Sequence, residues 1–106
     1  MREFFAGVLG LTEVEKPAEL AARGGAWFRG PGFDLHVGIE KEFAPARKAH
    51  PALLVDDLDV LAARFAEAGH PVRRDNLLVI PGVGEYDHFY VDDPVGNRLE
   101  LLQRVS

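Results

Sequence analysis

The sequence contains an internal repeat. The segments GFDLH (residues 32–36) and GNRLE (residues 96–100) lie 64 residues apart, and each places a glycine turn before an extended strand. Upstream, a helical pattern ending at Gly10 corresponds to one ending at Gly69, at a spacing of 59. Residues 50–55 form an apolar strand before the second helix, whereas counting 59 residues back from His50 passes beyond Met1. A repeat of this size predicts two similar βαβββ modules, the first lacking its N-terminal strand.

Composition limits the classes of protein to which the chain can belong. With 106 residues, of which 47% are hydrophobic and 27% charged, we expect a single domain with module 1 at about 1–42, a linker at 43–49 and module 2 at about 50–106. The net charge of −5, with no basic run longer than Arg73-Arg74, argues against nucleic-acid and membrane partners. Without an apolar segment typical of a membrane span or secretory signal, we expect a cytoplasmic protein.

Hydrophobic periodicity and turn residues predict an α+β protein. The helices are expected at residues 2–9 and 58–68, with a helical turn at 18–23. Glycine and proline turns predict a hairpin in each module, and residues 77–85, which contain Pro81-Gly82, are interpreted as a loop. Strands are therefore expected at 12–15, 26–29, 33–39, 50–55, 72–76, 86–91 and 98–105.

Three segments resemble one protein superfamily. They are FYVDDPVGNRLELL (residues 89–102), FFAGVLGL (4–11) and HPALLVDD (50–57). They are similar to the vicinal oxygen chelate superfamily, which includes glyoxalase I, bleomycin-resistance proteins, fosfomycin-resistance enzymes and extradiol dioxygenases. The resemblance implies two βαβββ modules forming a curved mixed β-sheet around a cleft. It also implies a divalent metal bound by the first and last strands of each module, of which only three are expected here.

The candidate metal ligands are His50, Glu100 and His36. The resemblance places His50 at the histidine ligand of the second module, and strand alternation puts Glu100 opposite the apolar Leu99 and Leu101. His36 has the position equivalent to Glu100 in the first repeat, where some family members have a carboxylate and others a noncoordinating residue, so both interpretations stay open. Because the chain has no cysteine, the metal would be held by His and carboxylate, a set suited to Mn²⁺, Fe²⁺, Ni²⁺ or Zn²⁺.

Each of these metal assignments has an alternative in which the residue has no metal-binding role. A histidine that opens a strand is commonly a surface or linker residue, and a carboxylate within an apolar strand can instead be paired or exposed. For His50 and Glu100 the sequence favours a metal ligand over these alternatives.

Three polar residues of the last hairpin are candidates for substrate binding. His88 and Tyr90 share one face of the penultimate strand, and Arg98 lies on the neighbouring strand. Together they could orient an anionic or oxygen-rich substrate, with Arg98 as its clamp. The alternative for Arg98 is a surface ion pair with Asp92 or Asp93, which would contribute little.

One aromatic residue of the first hairpin is a fourth candidate for substrate binding. Trp27 and Phe28 occupy successive strand positions, so one faces the core and the other faces the cleft. The sequence does not decide which of the two faces the cleft, and Trp27 is the candidate for substrate binding.

The functional hypotheses come from different classes. The first is a divalent-metal-dependent lyase, isomerase, transferase or dioxygenase that chelates two oxygens of a small molecule. The second is a non-catalytic, drug-sequestering protein of the bleomycin-resistance type, and the third is an inactive truncated member or a chain whose natural start lies upstream of Met1. A module without its first strand exposes a sheet edge, so we also expect a homodimer.

Overall fold

The computed structural model describes residues 1–105. They form two compact units, one of residues 1–44 and one that begins at Pro45. The division falls within the linker predicted at residues 43–49. Within these residues, each unit has its own β-sheet, with two helices in the first unit and one in the second.

The first unit contains a three-stranded antiparallel sheet in the order β1-β2-β3. Its N-terminal helix has π geometry, in which the Leu9 amide donates to the carbonyl of Phe4, five residues earlier. The elements are the π-helix Glu3–Val8, β1 Thr12–Val14, α1 Ala18–Ala21, β2 Ala26–Gly30 and β3 Phe33–Val37.

Phe28 belongs to the core of the first unit. Its side chain is fully buried, and its ring lies 5.4 Å from that of Phe5 in the π-helix. Trp27, the preceding residue of β2, is only half-buried on the opposite face. The choice that the sequence left open is therefore resolved, because Phe28 takes the core position.

The second unit contains a mixed five-stranded sheet. The strand order is β4-β8-β7-β5, with β6 also paired to β7, and β4 runs parallel to β8. Its elements are β4 Ala52–Leu54, α2 Leu58–Glu67, β5 Arg73–Arg74, β6 Leu78–Ile80, β7 Gly84–Asp92 and β8 Arg98–Arg104.

Helix α2 packs against one face of this sheet. It begins at Asp57, whose side chain accepts a hydrogen bond from the Val60 amide at 3.2 Å, as expected for a helix cap. The buried apolar side chains between helix and sheet are Leu58, Phe65, Phe89, Val91, Leu99 and Leu101. Among residues 1–105, no helix combines the length and apolar character needed to cross a membrane.

The internal repeat is visible in the backbone. Gly10 and Gly69 end the two helices with φ values of 89° and 87°, and Gly32 and Gly96 occupy the two hairpin turns with φ values of 77° and 94°. Such left-handed conformations favour glycine, which has no Cβ to clash with the backbone. The α+β class predicted from the repeat is confirmed.

The prediction that residues 77–85 form a loop is wrong. Leu78–Ile80 forms β6 and pairs with the start of β7, so that Leu78 lies opposite Tyr86 and Ile80 opposite Gly84. The Pro81-Gly82 pair lies in the tight turn between β6 and β7 and is not part of a longer loop. Leu78-Val79-Ile80 favours extended backbone because two of the three residues are β-branched.

Candidate functional site

The sheet of the second unit brings four polar side chains together on the face opposite α2. Glu100 in β8 lies between Tyr90 in β7 and Ala52 in the parallel strand β4. His88 precedes Tyr90 by two residues and therefore shares its face, and His50 precedes Ala52 by two residues. Strand register thus places two imidazoles and a phenol around one carboxylate.

Glu100 is the centre of this cluster. It is 6% exposed, its Oε1 lies 2.8 Å from Nε2 of His50, and its Oε2 lies 2.8 Å from Nδ1 of His88. A buried carboxylate is costly unless hydrogen bonds compensate its desolvation, and here each oxygen has its own imidazole partner. The two short contacts hold the carboxylate in one orientation.

In each imidazole, the ring nitrogen that does not contact Glu100 lies within hydrogen-bond distance of a backbone carbonyl. Nδ1 of His50 lies 2.7 Å from the oxygen of Lys48, and Nε2 of His88 lies 2.9 Å from the oxygen of Asn76. A carbonyl and an ionised carboxylate only accept hydrogen bonds, so each ring makes both bonds when both of its nitrogens carry protons. The hydrogen bond to Lys48 and, after it, that to Glu100 raise the pKa of His50.

Tyr90 lies against both histidines and beneath Arg98. Its ring centroid is 5.5 Å from each imidazole, and Cζ of Arg98 is 5.4 Å from the same centroid, within the range of a cation–π contact. Burial and, after it, the charge of Glu100 raise the pKa of Tyr90. The phenol therefore stays protonated at neutral pH and can donate a hydrogen bond.

The two acidic residues offered as alternative partners of Arg98 have other contacts. Asp92 accepts hydrogen bonds from Arg73 at 2.9 and 3.3 Å. Asp93 is buried and accepts from the amides of Val95 and Asn97 and from the Asn97 side chain. The structure places Arg98 over Tyr90 instead.

His36 and Trp27 form a separate pair in the first unit. They lie opposite each other on β3 and β2, and their rings stack at 3.8 Å with an angle of 5° between planes. Within residues 1–105, no three or more His, Asp or Glu side chains form a group with metal-holding geometry. The role of His36 as a third ligand stays a prediction.

His50 and Glu100 fit the requirements of adjacent metal ligands. Two ligand atoms at about 2.1 Å from an ion and at right angles to each other are about 3 Å apart, close to the 2.8 Å between His50 Nε2 and Glu100 Oε1. A metal-binding histidine usually directs its other nitrogen to a carbonyl or carboxylate, as His50 does to Lys48. His88 holds the carboxylate of Glu100 from its other oxygen.

Sequence reasoning missed the link between His88 and Glu100. It offered His88 only as a candidate for substrate binding, and the structure adds that both ring nitrogens face protein oxygens. The signal that could have found it is the turn at residues 92–97, which sets Tyr90 opposite Glu100 and therefore makes His88 a diagonal neighbour of Glu100.

Solved structures provide the comparison with known proteins. A glyoxalase family protein from Bacillus anthracis is 36% identical, with a TM-score of 0.86, over 98% of this chain and 81% of that chain. A glyoxalase/dioxygenase from Nostoc punctiforme is 26% identical, with a TM-score of 0.73, over 99% and 82%. A lactoylglutathione lyase from Agrobacterium tumefaciens, at 22% identity and a TM-score of 0.65 over 96% and 81%, shares the fold. No protein-family profile and no curated protein matches the chain significantly.

Proposed function

The chain belongs to the glyoxalase family of the vicinal oxygen chelate superfamily, and on this premise we propose that it binds a divalent metal ion through His50 and Glu100. The observation that carries the proposal is the 2.8 Å separation of His50 Nε2 and Glu100 Oε1. A hydrogen bond to the Lys48 carbonyl orients His50, and one from His88 orients Glu100. The ions suited to an imidazole and a carboxylate are Mn²⁺, Fe²⁺, Ni²⁺ and Zn²⁺.

Each residue of the cluster has a separate task in this proposal. His50 offers Nε2 once the proton shared with Glu100 is released, and the bond to Lys48 keeps the ring in place. His88 fixes the other carboxylate oxygen. The ion, when bound, polarises the oxygens of a small molecule that chelates it.

Tyr90 and Arg98 indicate the chemistry of the molecule that is bound. A protonated phenol donates a hydrogen bond to an oxygen, and a guanidinium next to it attracts a negatively charged oxygen. Both groups lie beside Glu100 in the second unit. We therefore propose a small, oxygen-rich substrate and a lyase, isomerase, transferase or dioxygenase reaction.

A second candidate function is non-catalytic binding of a small molecule. The observation that favours it is that every side-chain nitrogen and oxygen of His50, Glu100 and His88 has a hydrogen-bond partner within the protein. In this alternative His50, Glu100 and His88 stabilise the sheet, and Tyr90 and Arg98 only hold the ligand. The protein would then sequester a compound rather than transform it.

Metal titration distinguishes the two functions. We expect Mn²⁺, Ni²⁺ or Zn²⁺ to bind the metal-free protein with one-to-one stoichiometry in calorimetry, because the ligand pair is already oriented. Glu100→Gln and His50→Gln should each weaken binding by about tenfold or more. His70→Gln is the matched control, since the His70 amide bonds to Phe65 at the end of α2, away from this cluster.

Two results would favour the second function. One is the absence of stoichiometric metal binding, and the other is binding that Glu100→Gln leaves unchanged.

A further inference from the structure

The first unit contains a cavity of its own, of about 250 Å³. It lies beside the end of the β2–β3 hairpin and the short helix α1, and it uses none of the residues proposed to bind metal in the second unit. Its volume is below the range of about 300–1,000 Å³ typical of drug-sized ligands, so it suits a smaller molecule. The lining residues are Lys16, Leu20, Arg23, Gly24, Trp27, His36, Val37, Gly38 and Ile39.

One wall of the cavity is aromatic and another is aliphatic. The Trp27 indole stacks on the His36 ring, which fixes its plane. Ile39 is 72% exposed and lies against Gly24, where an added Cβ would approach its Cδ1 to 2.4 Å. With an exposed isoleucine and a half-buried indole, the lining leaves apolar surface in contact with water, which an apolar ligand would cover.

The charged side chains of the lining are both cations. Lys16 donates a hydrogen bond to the carbonyl of Gly24, which holds its ammonium group at the cavity. Arg23 is exposed and lines the same space. In a chain with a net charge of −5, a lining that joins two cations without a carboxylate favours an anion.

We propose that this cavity binds a small carboxylate with an aromatic or aliphatic body. Arg23 and Lys16 receive the carboxylate, Arg23 with the geometry suited to a two-oxygen contact. The apolar body lies between Trp27 and Ile39. The site needs no metal ion, so its test is independent of the metal site proposed for the second unit.

Trp27 provides the readout, because it is the single tryptophan of the chain. Benzoate is the probe, and neutral benzamide of nearly the same shape is its control. In metal-free protein with EDTA present, benzoate should change the Trp27 emission saturably, with benzamide binding at least about fivefold more weakly. Equal affinity for the two compounds would overturn the role of the cations, and no saturable change up to about 20 mM benzoate would overturn the site.

Substitutions then locate the anion. Arg23→Gln should weaken benzoate binding by about fivefold or more, and Lys16→Gln should act in the same direction. The controls with the same charge change are Arg47→Gln and Lys41→Gln, which lie outside the lining and should leave the affinity unchanged. If the Arg23 and Arg47 variants bind benzoate equally, the effect is that of net charge and the proposal fails.

If Lys16→Gln alters folding, Arg23→Gln still tests the proposal. Arg23 lies beyond the end of α1 and is exposed, so its replacement should leave the thermal midpoint unchanged. Trp27→Phe, titrated by calorimetry, should retain part of the affinity because a smaller aromatic surface remains. Full affinity in that variant would show that benzoate binds elsewhere and would contradict the proposal.

Discussion

Nδ1 of His88 lies 2.8 Å from Oε2 of Glu100. The opposite nitrogen of the same ring lies 2.9 Å from the carbonyl oxygen of Asn76, two residues before β6. A buried imidazole thus connects the carboxylate at the centre of the site to the backbone at the start of the β6–β7 hairpin. Because Glu100 is held in this way, its other oxygen is directed at His50.

The first prediction separates the two bonds of His88. An asparagine amide reaches about as far as Nδ1 and a glutamine amide about as far as Nε2, so His88→Asn retains the donor to Glu100 and His88→Gln the donor to Asn76. We expect His88→Gln to lower metal affinity about tenfold and His88→Asn to retain most of it. Calorimetric titration measures both.

The thermal midpoint separates this role from a purely structural one. In either case His88→Gln and His88→Asn should lower the thermal midpoint by similar amounts, because each variant loses one buried hydrogen bond. If metal affinity followed the thermal midpoint rather than the retained donor, His88 would stabilise the sheet without positioning Glu100.

Much of the fold could be predicted because its signals are local. The glycines that end the two helices and make the hairpin turns, such as Gly69 and Gly96, occupy left-handed conformations that few other residues adopt. Strand β6 does not follow from the sequence, because Pro81-Gly82 is typical of a loop as well as of the hairpin turn that it makes here. A turn pair does not show whether the residues before it are paired.

The candidate site was predictable only in part. Strand alternation and the family resemblance identified His50 and Glu100, and the structure brings them within 2.8 Å. The contacts of His88 were not accessible, since one partner is the backbone carbonyl of Asn76 and depends on the path of the chain between β5 and β6. Backbone acceptors carry no signal in the residue type.

The second prediction concerns the pH dependence of stability in the metal-free protein. The pKa of His50 is raised in the folded state by its bonds to Lys48 and Glu100. The stability that His50 contributes is therefore fully present below its unfolded pKa of about 6.5 and is lost as pH rises through the higher folded pKa. Thermal midpoints from about pH 5.5 to 8.5 should fall more steeply in the wild type than in His50→Gln. Parallel curves would contradict the prediction.

The third prediction concerns the turn between β7 and β8. Asp93 is buried and accepts three hydrogen bonds from Val95 and Asn97, so Asp93→Ala should lower the free energy of unfolding by about 2–4 kcal/mol. Asp92→Ala is the matched neighbour, because Asp92 forms an exposed ion pair with Arg73 that is worth at most about 1 kcal/mol. Urea denaturation of the two variants gives the comparison, and equal losses would refute it.

The last prediction is that the protein forms a homodimer. Strand β3 is an edge of its sheet among residues 1–105, whereas β8, its counterpart in the repeat, is covered by the parallel strand β4. The unpaired amides and carbonyls of Phe33–Val37 can accept a strand from a second copy.

Sedimentation velocity at micromolar concentrations should give a species of twice the 11.7 kDa chain mass. A further comparison is Asp34→Pro. The two-residue turn makes Gly30 and Phe33 a hydrogen-bonded pair, so by the alternation of an antiparallel ladder the Asp34 amide points away from β2, towards the edge. Proline at this position removes a donor from the edge. If the dimer uses this edge, the variant should dissociate at a higher protein concentration than the wild type does. A wild-type monomer throughout the micromolar range would show that the edge stays unpaired, and a dimer unaffected by Asp34→Pro would place the interface on another surface.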